Sequence, residues 1–262
     1  MIQERGMGML VYQCEDSLEG IFTAVYTAYE EKREPSDTML SLEEELYLFA
    51  EYQTVKPEPE KAVKVMRTLK RKFGEEDYMQ LCLALSAPNS QKAQAVYQTI
   101  ALGLAGKKAA WGHLLDNLAN DYVNQTFSLA RGAMNENCHL KGFVRFQELE
   151  GGILYSKIGP KNNLLTFLMP HFADRFPMEN FILLDEKRNL FGVHPAGGQW
   201  YLLSGSRILE GAVHFKLSEE ERKYQELFCH FCHKIAIKER ENLKLQRNML
   251  PLRFQEYMIE FN

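Results

Sequence analysis

The sequence predicts an α+β protein whose antiparallel sheet is built mainly from the second half of the chain. Three observations support this prediction. Helical spacing of apolar residues dominates residues 60–134, whereas short apolar runs separated by turn residues dominate residues 142–203. A further strand-like run, residues 9–14, lies near the N-terminus, and we expect it to join the later sheet beside an inserted helical block.

Composition and charge distinguish two parts of the chain. Its 262 residues, 45% of them hydrophobic and 25% charged, suffice for one large domain or two smaller ones. We place the N-terminal strand and helical block in residues 1–137, and the sheet and a long C-terminal helix in residues 138–262, as two domains or one interlocked domain. The first part has a net charge of −6 and the second of +2, which sum to the total of −4. This total argues against a broad nucleic-acid-binding surface. If a polyanion binds, the positive net charge of the second part predicts that it binds there.

The chain lacks the sequence features of secretion and membrane insertion. Its first residues are not followed by the apolar core of a signal peptide, and no apolar run approaches the roughly 20 residues of a membrane span. The five cysteines are odd in number and scattered, which is typical of reduced thiols. We therefore expect a cytoplasmic protein with no membrane contact.

Caps and turns delimit the helices of the first part. Asp16 or Ser17 caps a helix at about residues 18–32. A proline-rich connector then leads into amphipathic helices, which we expect at about 60–73, 75–86, 90–105 and 108–134.

Strands and turns alternate in the second part. Residues 142–149 and 153–158 predict a β-hairpin with a glycine turn. Residues 181–184 are a continuous apolar run of strand length, which is typical of a strand buried on both faces. Further strands are expected at residues 190–193 and 200–203.

A helix predicted at residues 163–175 carries polar groups on its apolar side. His171 and Arg175 fall on the same side as the core leucines. Either both bind the free carbonyls of the helix C-terminus, or they line a cleft beside Asp185, at the end of the buried strand. In a cleft, Arg175 would hold a phosphate or carboxylate, and His171 would move a proton near neutral pH.

Asp185 also has a simpler interpretation. Asp185 and Arg188 follow the buried strand, where they would belong to a hairpin turn and form an ion pair within it. An exposed pair of that kind contributes about 0–1 kcal/mol to stability.

A long helix is predicted from Ser218, which forms a capping box with Glu221, to Pro251. Its stripe begins as core residues: Tyr224, Leu227, Phe228, Phe231, Cys232 and Ile235. The stripe then becomes polar. At that point Lys238, Asn242 and Gln246 either lie on a solvated helix end or face an enclosed polar site, whereas Arg240 lies on another face.

No metal site is predicted. Cys229, Cys232 and His233 could share a helix face, but Cys232 belongs to the core stripe and no second ligand pair has zinc-finger spacing. The chain also has no three-cysteine iron–sulfur motif, no phosphate loop and no dinucleotide-binding glycine pattern.

Several segments together resemble one family. They are Asp16-Ser17-Leu18-Glu19-Gly20 with Tyr29-Glu30, the hairpin segment 139–146, Leu154-Tyr155 with Pro160, His171-Phe172 with Arg175-Phe176, Asp185 with Arg188, and the C-terminal segments 235–242, 245–246 and 251–254. The family is a bacterial one of unknown function, associated with DNA metabolism and DNA repair. Its members are encoded beside a radical-SAM protein or fused to a uracil-DNA-glycosylase-like domain.

The resemblance implies a setting and not a reaction. It covers most of the chain, although the fusion domain is absent and Phe254-Gln255 stands where a Tyr-Trp pair is usual. It implies nucleic-acid processing with a radical-SAM partner. The chain itself would hold no cofactor, since the iron–sulfur cluster and SAM are expected only in the partner.

Two hypotheses remain open. In the first, the chain is a DNA-processing enzyme or substrate-holding subunit, in which His171 and Asp185 perform the proton chemistry. Substrate or phosphate would be bound by Arg145, Arg175, Arg188, Lys238, Arg240, Asn242 and Gln246. In the second, the chain is a non-catalytic adaptor whose acidic helical block, residues 40–135, docks the radical-SAM partner.

Overall fold

A computed structural model describes residues 9–42, 47–106, 112–205 and 216–261 of the chain, without the side chain of Lys238. The chain divides into two compact units, Met1–Met134 and Asn135–Asn262. The domain boundary predicted after residue 137 lies close to this division, and the independence of the two parts stays a prediction.

The described elements confirm the α+β class. The helices are α1 (Leu18–Glu30), α2 (Pro59–Leu85), α3 (Lys92–Leu104), α4 (Asp121–Phe143), α5 (Leu165–Arg175), α6 (Glu219–Ile235), α7 (Leu243–Met249) and α8 (Leu252–Gln255). The strands are β1 (Met9–Cys14), β2 (Thr38–Ser41), β3 (Ala50–Val55), β4 (Gln147–Leu149), β5 (Ile153–Ile158), β6 (Phe181–Asp185), β7 (Leu190–His194) and β8 (Tyr201–Ser204).

The first unit has a parallel sheet of its own, in the order β2-β1-β3. The expectation that the N-terminal strand joins the later sheet is therefore wrong. Strand β1, helix α1 and the parallel strand β2 form one crossover unit, which spans about 30 residues. Leu10, Val11 and Tyr12 are almost fully buried, as is usual for a central strand of a parallel sheet.

In the first unit, helix α2 is kinked at a glycine and helix α4 begins at an asparagine cap. The helices predicted at 60–73 and 75–86 are both present as the two parts of α2, and the kink between them lies at Gly74, whose φ of +91° is not helical. Helix α4 begins at Asp121 and not at residue 108, because the Asn120 side chain accepts hydrogen bonds from the backbone nitrogens of Tyr122 (3.1 Å) and Val123 (3.2 Å).

The second unit is built on a five-stranded sheet in the order β4-β5-β6-β7-β8. The pair β5–β6 is parallel and the other pairs are antiparallel, so helix α5 makes the crossover between two parallel strands. Strand β4 is shorter than the predicted hairpin arm, since α4 continues to Phe143. In β6 the burial alternates, with Phe181, Leu183 and Asp185 buried and the residues between them half-buried.

The long C-terminal helix is interrupted, contrary to expectation. Helix α6 ends at Ile235, a short 3-10 turn covers Lys238–Arg240, and α7 starts only at Leu243. The Asn242 side chain caps α7 by accepting a hydrogen bond from the backbone nitrogen of Leu245 at 3.0 Å. None of the described helices is long and apolar enough to cross a membrane.

Candidate functional site

Helix α5 carries the histidine and arginine that were predicted as site residues. Its apolar side is the expected one, because Leu164, Leu165 and Leu168 are fully buried. The crossover between β5 and β6 holds the helix on the sheet, and glycine at position 192 of β7 leaves room for the side chain of Met169. The last turn of α5 is thereby fixed on a rigid scaffold.

His171 and Arg175 lie four residues apart at the end of α5, and the charge of Lys141 from α4 acts on the same imidazole. Half-buried His171 has its pKa lowered from the usual value first by burial and then by the positive charges of Lys141 and Arg175, against the opposing charge of Asp174. The positive charges of Lys141 and Arg175 thus both act on one imidazole. We call Lys141, His171 and Arg175 the basic cluster.

The basic cluster has few competing partners. Among the described residues, no hydrogen bond runs from His171 or Arg175 to a backbone carbonyl, and no carboxylate lies within ion-pair distance of Lys141 or Arg175. The carbonyl of Phe172 accepts a hydrogen bond from the backbone nitrogen of Phe176 at 2.8 Å. The helix therefore ends without the help of these side chains, and they stay available to a ligand.

Aromatic rings border the basic cluster. The ring of Phe146 meets Phe172, Phe176 and Phe181 edge-on, with centroids 5.2, 5.6 and 5.5 Å away. The guanidinium of Arg175 lies 5.6 Å from the centroid of Phe176. Phe146 and Phe176 are half-buried, so the cluster stands beside a partly exposed aromatic surface.

Asp185 and Arg188 form an ion pair, the Asp185–Arg188 brace, in which Asp185 is buried and Arg188 is half-buried. The Asp185 carboxylate is inaccessible to solvent and accepts from the backbone nitrogens of Lys187 (3.1 Å) and Arg188 (3.3 Å) and from the Arg188 guanidinium (2.9 Å). Burial raises the pKa of Asp185, and the bonds from Arg188 oppose that rise. Among the described residues, no hydrogen bond or ion pair joins Asp185 to His171 or Arg175.

Arg188 extends the brace to the loop before α5. Its guanidinium donates to the carbonyls of Pro160 (3.2 Å) and Lys161 (2.6 Å). Both arms of the arginine are thus occupied by the protein. A phosphate at Arg188 would have to displace these bonds.

The opposite edge of the same loop is held by Glu136, which sequence reasoning did not single out. This buried carboxylate accepts from the backbone nitrogens of Lys161 (3.0 Å) and Asn162 (2.9 Å) and from the Asn162 side chain (2.6 Å), and it pairs with Arg253 at 3.3 Å. A lone glutamate within a helix gives no local signal of such a role. Together Glu136 and Arg188 fix the loop that leads into α5.

Arg145 lines a cleft of about 190 Å³ in the second unit. Its guanidinium donates to Glu260 (3.1 and 3.3 Å) and to the carbonyl of Gly142 (3.0 Å). The cleft is lined by Arg145, Gln147, Tyr155, Ser156, Lys157, Glu256, Tyr257 and Ile259. Burial and the neighbouring Glu186, which accepts a hydrogen bond from the Tyr257 hydroxyl, raise the pKa of Tyr257.

The remaining predicted site residues lie after α6. Asn242 and Gln246 are exposed, so they do not face an enclosed polar site. Asn242 is occupied as the cap of α7, and Arg240 is exposed in the 3-10 turn. The side chain of Lys238 lies outside the described residues. Their roles in binding substrate stay predictions.

Cysteine and histidine side chains do not gather in the described parts of the chain. No group of three or more His, Cys, Asp or Glu residues there could hold a metal ion. The Cys229 thiol donates to the Ile259 carbonyl at 3.6 Å, and the His233 ring lies 2.7 Å from the carbonyl of Cys229.

The fold and the basic cluster thus define a two-unit α+β protein with a candidate anion-binding surface on its second unit. The sequence signature of the family described as domain of unknown function DUF4130 matches residues 90–260. Because the match covers more than half of the chain, the protein belongs to this uncharacterised family. No curated protein and no solved structure matches the chain significantly.

Proposed function

We propose that the protein binds DNA through the basic cluster and acts in DNA metabolism or repair with a radical-SAM partner. The observation that carries the proposal is that the charges of Lys141 and Arg175, from two helices, both act on His171 and are opposed there by Asp174, while no carboxylate of the described residues lies within ion-pair distance of Lys141 or Arg175. Cations clustered in this way attract phosphate groups. The charge distribution agrees, since the second part of the chain is net positive and the first is net negative.

His171 would respond to the bound phosphate. In the free protein its pKa is lowered, so the ring is largely neutral at pH 7. A phosphate beside it favours the charged form and raises that pKa, which couples binding to the uptake of a proton. The same ring is the candidate proton donor or acceptor in any reaction on the bound strand.

The radical-SAM partner is proposed because the sequence resembles a family whose members are encoded beside a radical-SAM protein. Such a partner would bring the iron–sulfur cluster and SAM, for which this chain has no cysteine motif. In that arrangement the present chain would hold the nucleic acid and place it before the partner.

Fluorescence anisotropy with labelled single-stranded and double-stranded DNA tests the proposal at low and moderate salt. The double variant Lys141→Gln/Arg175→Gln should weaken binding by about tenfold or more and reduce the slope of log K against log salt by about 2. The matched control is Arg71→Gln/Lys72→Gln, which removes two exposed charges from α2 and should leave affinity nearly unchanged.

Two results would contradict the proposal. The absence of binding by the wild-type chain at low salt, for both kinds of DNA, removes its basis. Equal weakening by the two double variants would show that net charge, and not the basic cluster, determines affinity.

One observation favours the second candidate function, a non-catalytic adaptor. Within the acidic helical block, Leu48 and Phe49 are 87% and 95% exposed, and Phe49 has a φ of +64°, which is unusual for a large side chain. Adjacent exposed apolar side chains are typical of protein-binding surfaces. Co-purification with the radical-SAM partner should be lost in Phe49→Ser and kept in the cluster variant if the chain is an adaptor alone.

A further inference from the structure

Two partly exposed phenylalanine rings lie beside the basic cluster. Phe146 belongs to the segment between α4 and β4, and Phe176 follows the last residue of α5. Both are half-buried, whereas the rings that support them, Phe172 and Phe181, are 3% and 0% exposed. Phe146 meets the other three rings edge-on, which fixes its orientation. We call Phe146 and Phe176 the aromatic platform.

The aromatic platform and the basic cluster adjoin each other. Arg175 and Phe176 are consecutive, and the guanidinium lies 5.6 Å from the centroid of the ring, within the range of a cation–π contact. Arg175 is exposed. A nucleotide whose phosphate is bound by Arg175 therefore has its base within reach of the ring of Phe176.

The charges of the basic cluster are too few to hold a nucleic acid by themselves. Lys141 and Arg175 are its permanent cations, and His171 adds a charge only when it is protonated. Proteins that hold DNA mainly by charge make about 6–10 phosphate contacts. The net charge of −4 adds no attraction at long range. Contacts other than those to phosphate must therefore contribute to binding, and the neighbouring ring faces can supply them.

Ring faces distinguish one kind of strand from the other. In a duplex the bases are stacked on one another, and their faces are closed to side chains. In a single strand a base can leave the stack and lie on an aromatic side chain or on an arginine guanidinium. Cations next to aromatic rings are thus suited to a single strand, whereas cations alone suit either form.

We infer that the ligand of the basic cluster is a single-stranded nucleic acid, of which at least one base stacks on the aromatic platform. Lys141 and Arg175 would hold the adjacent phosphates. This inference rests on the proposed function, and it adds the kind of strand and the way in which its bases are bound. Recognition of this kind tolerates many sequences, because every base has a π-face.

Fluorescence anisotropy with three labelled ligands of equal length tests the inference. The ligands are an oligothymidylate, an abasic strand with the same phosphates, and a duplex. The wild-type chain should bind the oligothymidylate more tightly than the abasic strand by about fivefold or more. This preference should not change with salt, because the two strands carry the same charge. At moderate salt the oligothymidylate should also bind more tightly than the duplex.

The variant Phe146→Leu/Phe176→Leu keeps apolar side chains at both positions and removes the ring faces. Its preference for the oligothymidylate over the abasic strand should fall to about twofold or less, with unchanged affinity for the abasic strand. The matched control is Phe231→Leu, which replaces a 56% exposed ring on α6 and should keep the full preference. Circular dichroism confirms that each variant is folded, and Phe176→Leu alone is the milder test.

The possible results separate this inference from the proposed function. Equal affinity of the wild-type chain for the oligothymidylate and the abasic strand overturns the inference. It leaves the proposed function standing if Lys141→Gln/Arg175→Gln weakens the binding of both. Equal weakening of both strands by the platform variant also overturns the inference, because the rings would then only support the fold. No binding of any ligand at low salt removes the inference and the proposed function together.

Discussion

The basic cluster and the Asp185–Arg188 brace differ in how the protein uses its arginines. The Arg188 guanidinium donates hydrogen bonds to a buried carboxylate and to two backbone carbonyls. Arg175 has no carboxylate within ion-pair distance among the described residues and faces solvent. Both arginines came from the same family signature, yet their surroundings suit one to holding a loop and the other to binding a ligand.

The set of residues through which the sequence resembles one family can therefore contain both structural residues and candidate functional residues. A buried charge must be paired to be tolerated, whereas an exposed one costs little to leave unpaired. The variants below separate the two roles, since loss of the brace should affect stability and loss of the basic cluster should affect binding.

The largest effect on stability is expected for Glu136→Ala. The change removes the acceptor of three hydrogen bonds and the partner of Arg253, and leaves the loop before α5 without its anchor. Urea unfolding of the whole chain should show a loss of about 2–4 kcal/mol in the free energy of unfolding. Glu150→Ala removes an exposed partner of Lys216 and is the control, with an expected loss of about 0–1 kcal/mol.

A smaller effect is expected for Asp185→Asn, about 1–3 kcal/mol at pH 7, because an amide cannot satisfy both backbone donors and Arg188. The raised pKa of Asp185 means that the folded state binds its proton more readily than the unfolded state. This group's contribution to stability therefore falls as pH rises from the unfolded to the folded pKa, and the asparagine variant should lack that dependence. DNA affinity should be nearly unchanged, and a loss as large as that of the cluster variant would contradict the division of roles.

The smallest effect is expected for His171→Gln at neutral pH. Wild-type DNA affinity should increase as pH falls from about 8 to about 6, because binding takes up a proton at His171. The glutamine variant should have a flatter pH profile with little change in stability. Identical profiles for the two proteins would show that His171 does not face the phosphate.

The same titration has the opposite consequence for folding. The folded pKa of His171 is lowered below the unfolded value, so protonation costs the free protein stability as pH falls through the unfolded pKa. DNA should offset this cost. Thermal unfolding with and without DNA at about pH 6 and about pH 8 measures both effects.

Local patterns in the sequence determined much of this protein. Apolar spacing placed α5 and its buried leucines, a continuous apolar run placed β6, and the turn chemistry of Asp185 and Arg188 placed the hairpin that follows. His171 and Arg175 could be selected because a polar residue on an apolar helix side conflicts with its pattern.

Tertiary structure alone decided four features. The partners of β1 depend on a crossover, which apolar alternation does not encode. The charge of Lys141 acts on His171 from 30 positions away in the sequence. Glu136 binds residues 161 and 162 across about 25 positions. The apolar residues of α6, Tyr224, Leu227, Phe228, Phe231 and Ile235, have the spacing of a core helix, yet they are exposed in the structure. Spacing predicts which residues lie on one face and not what covers them.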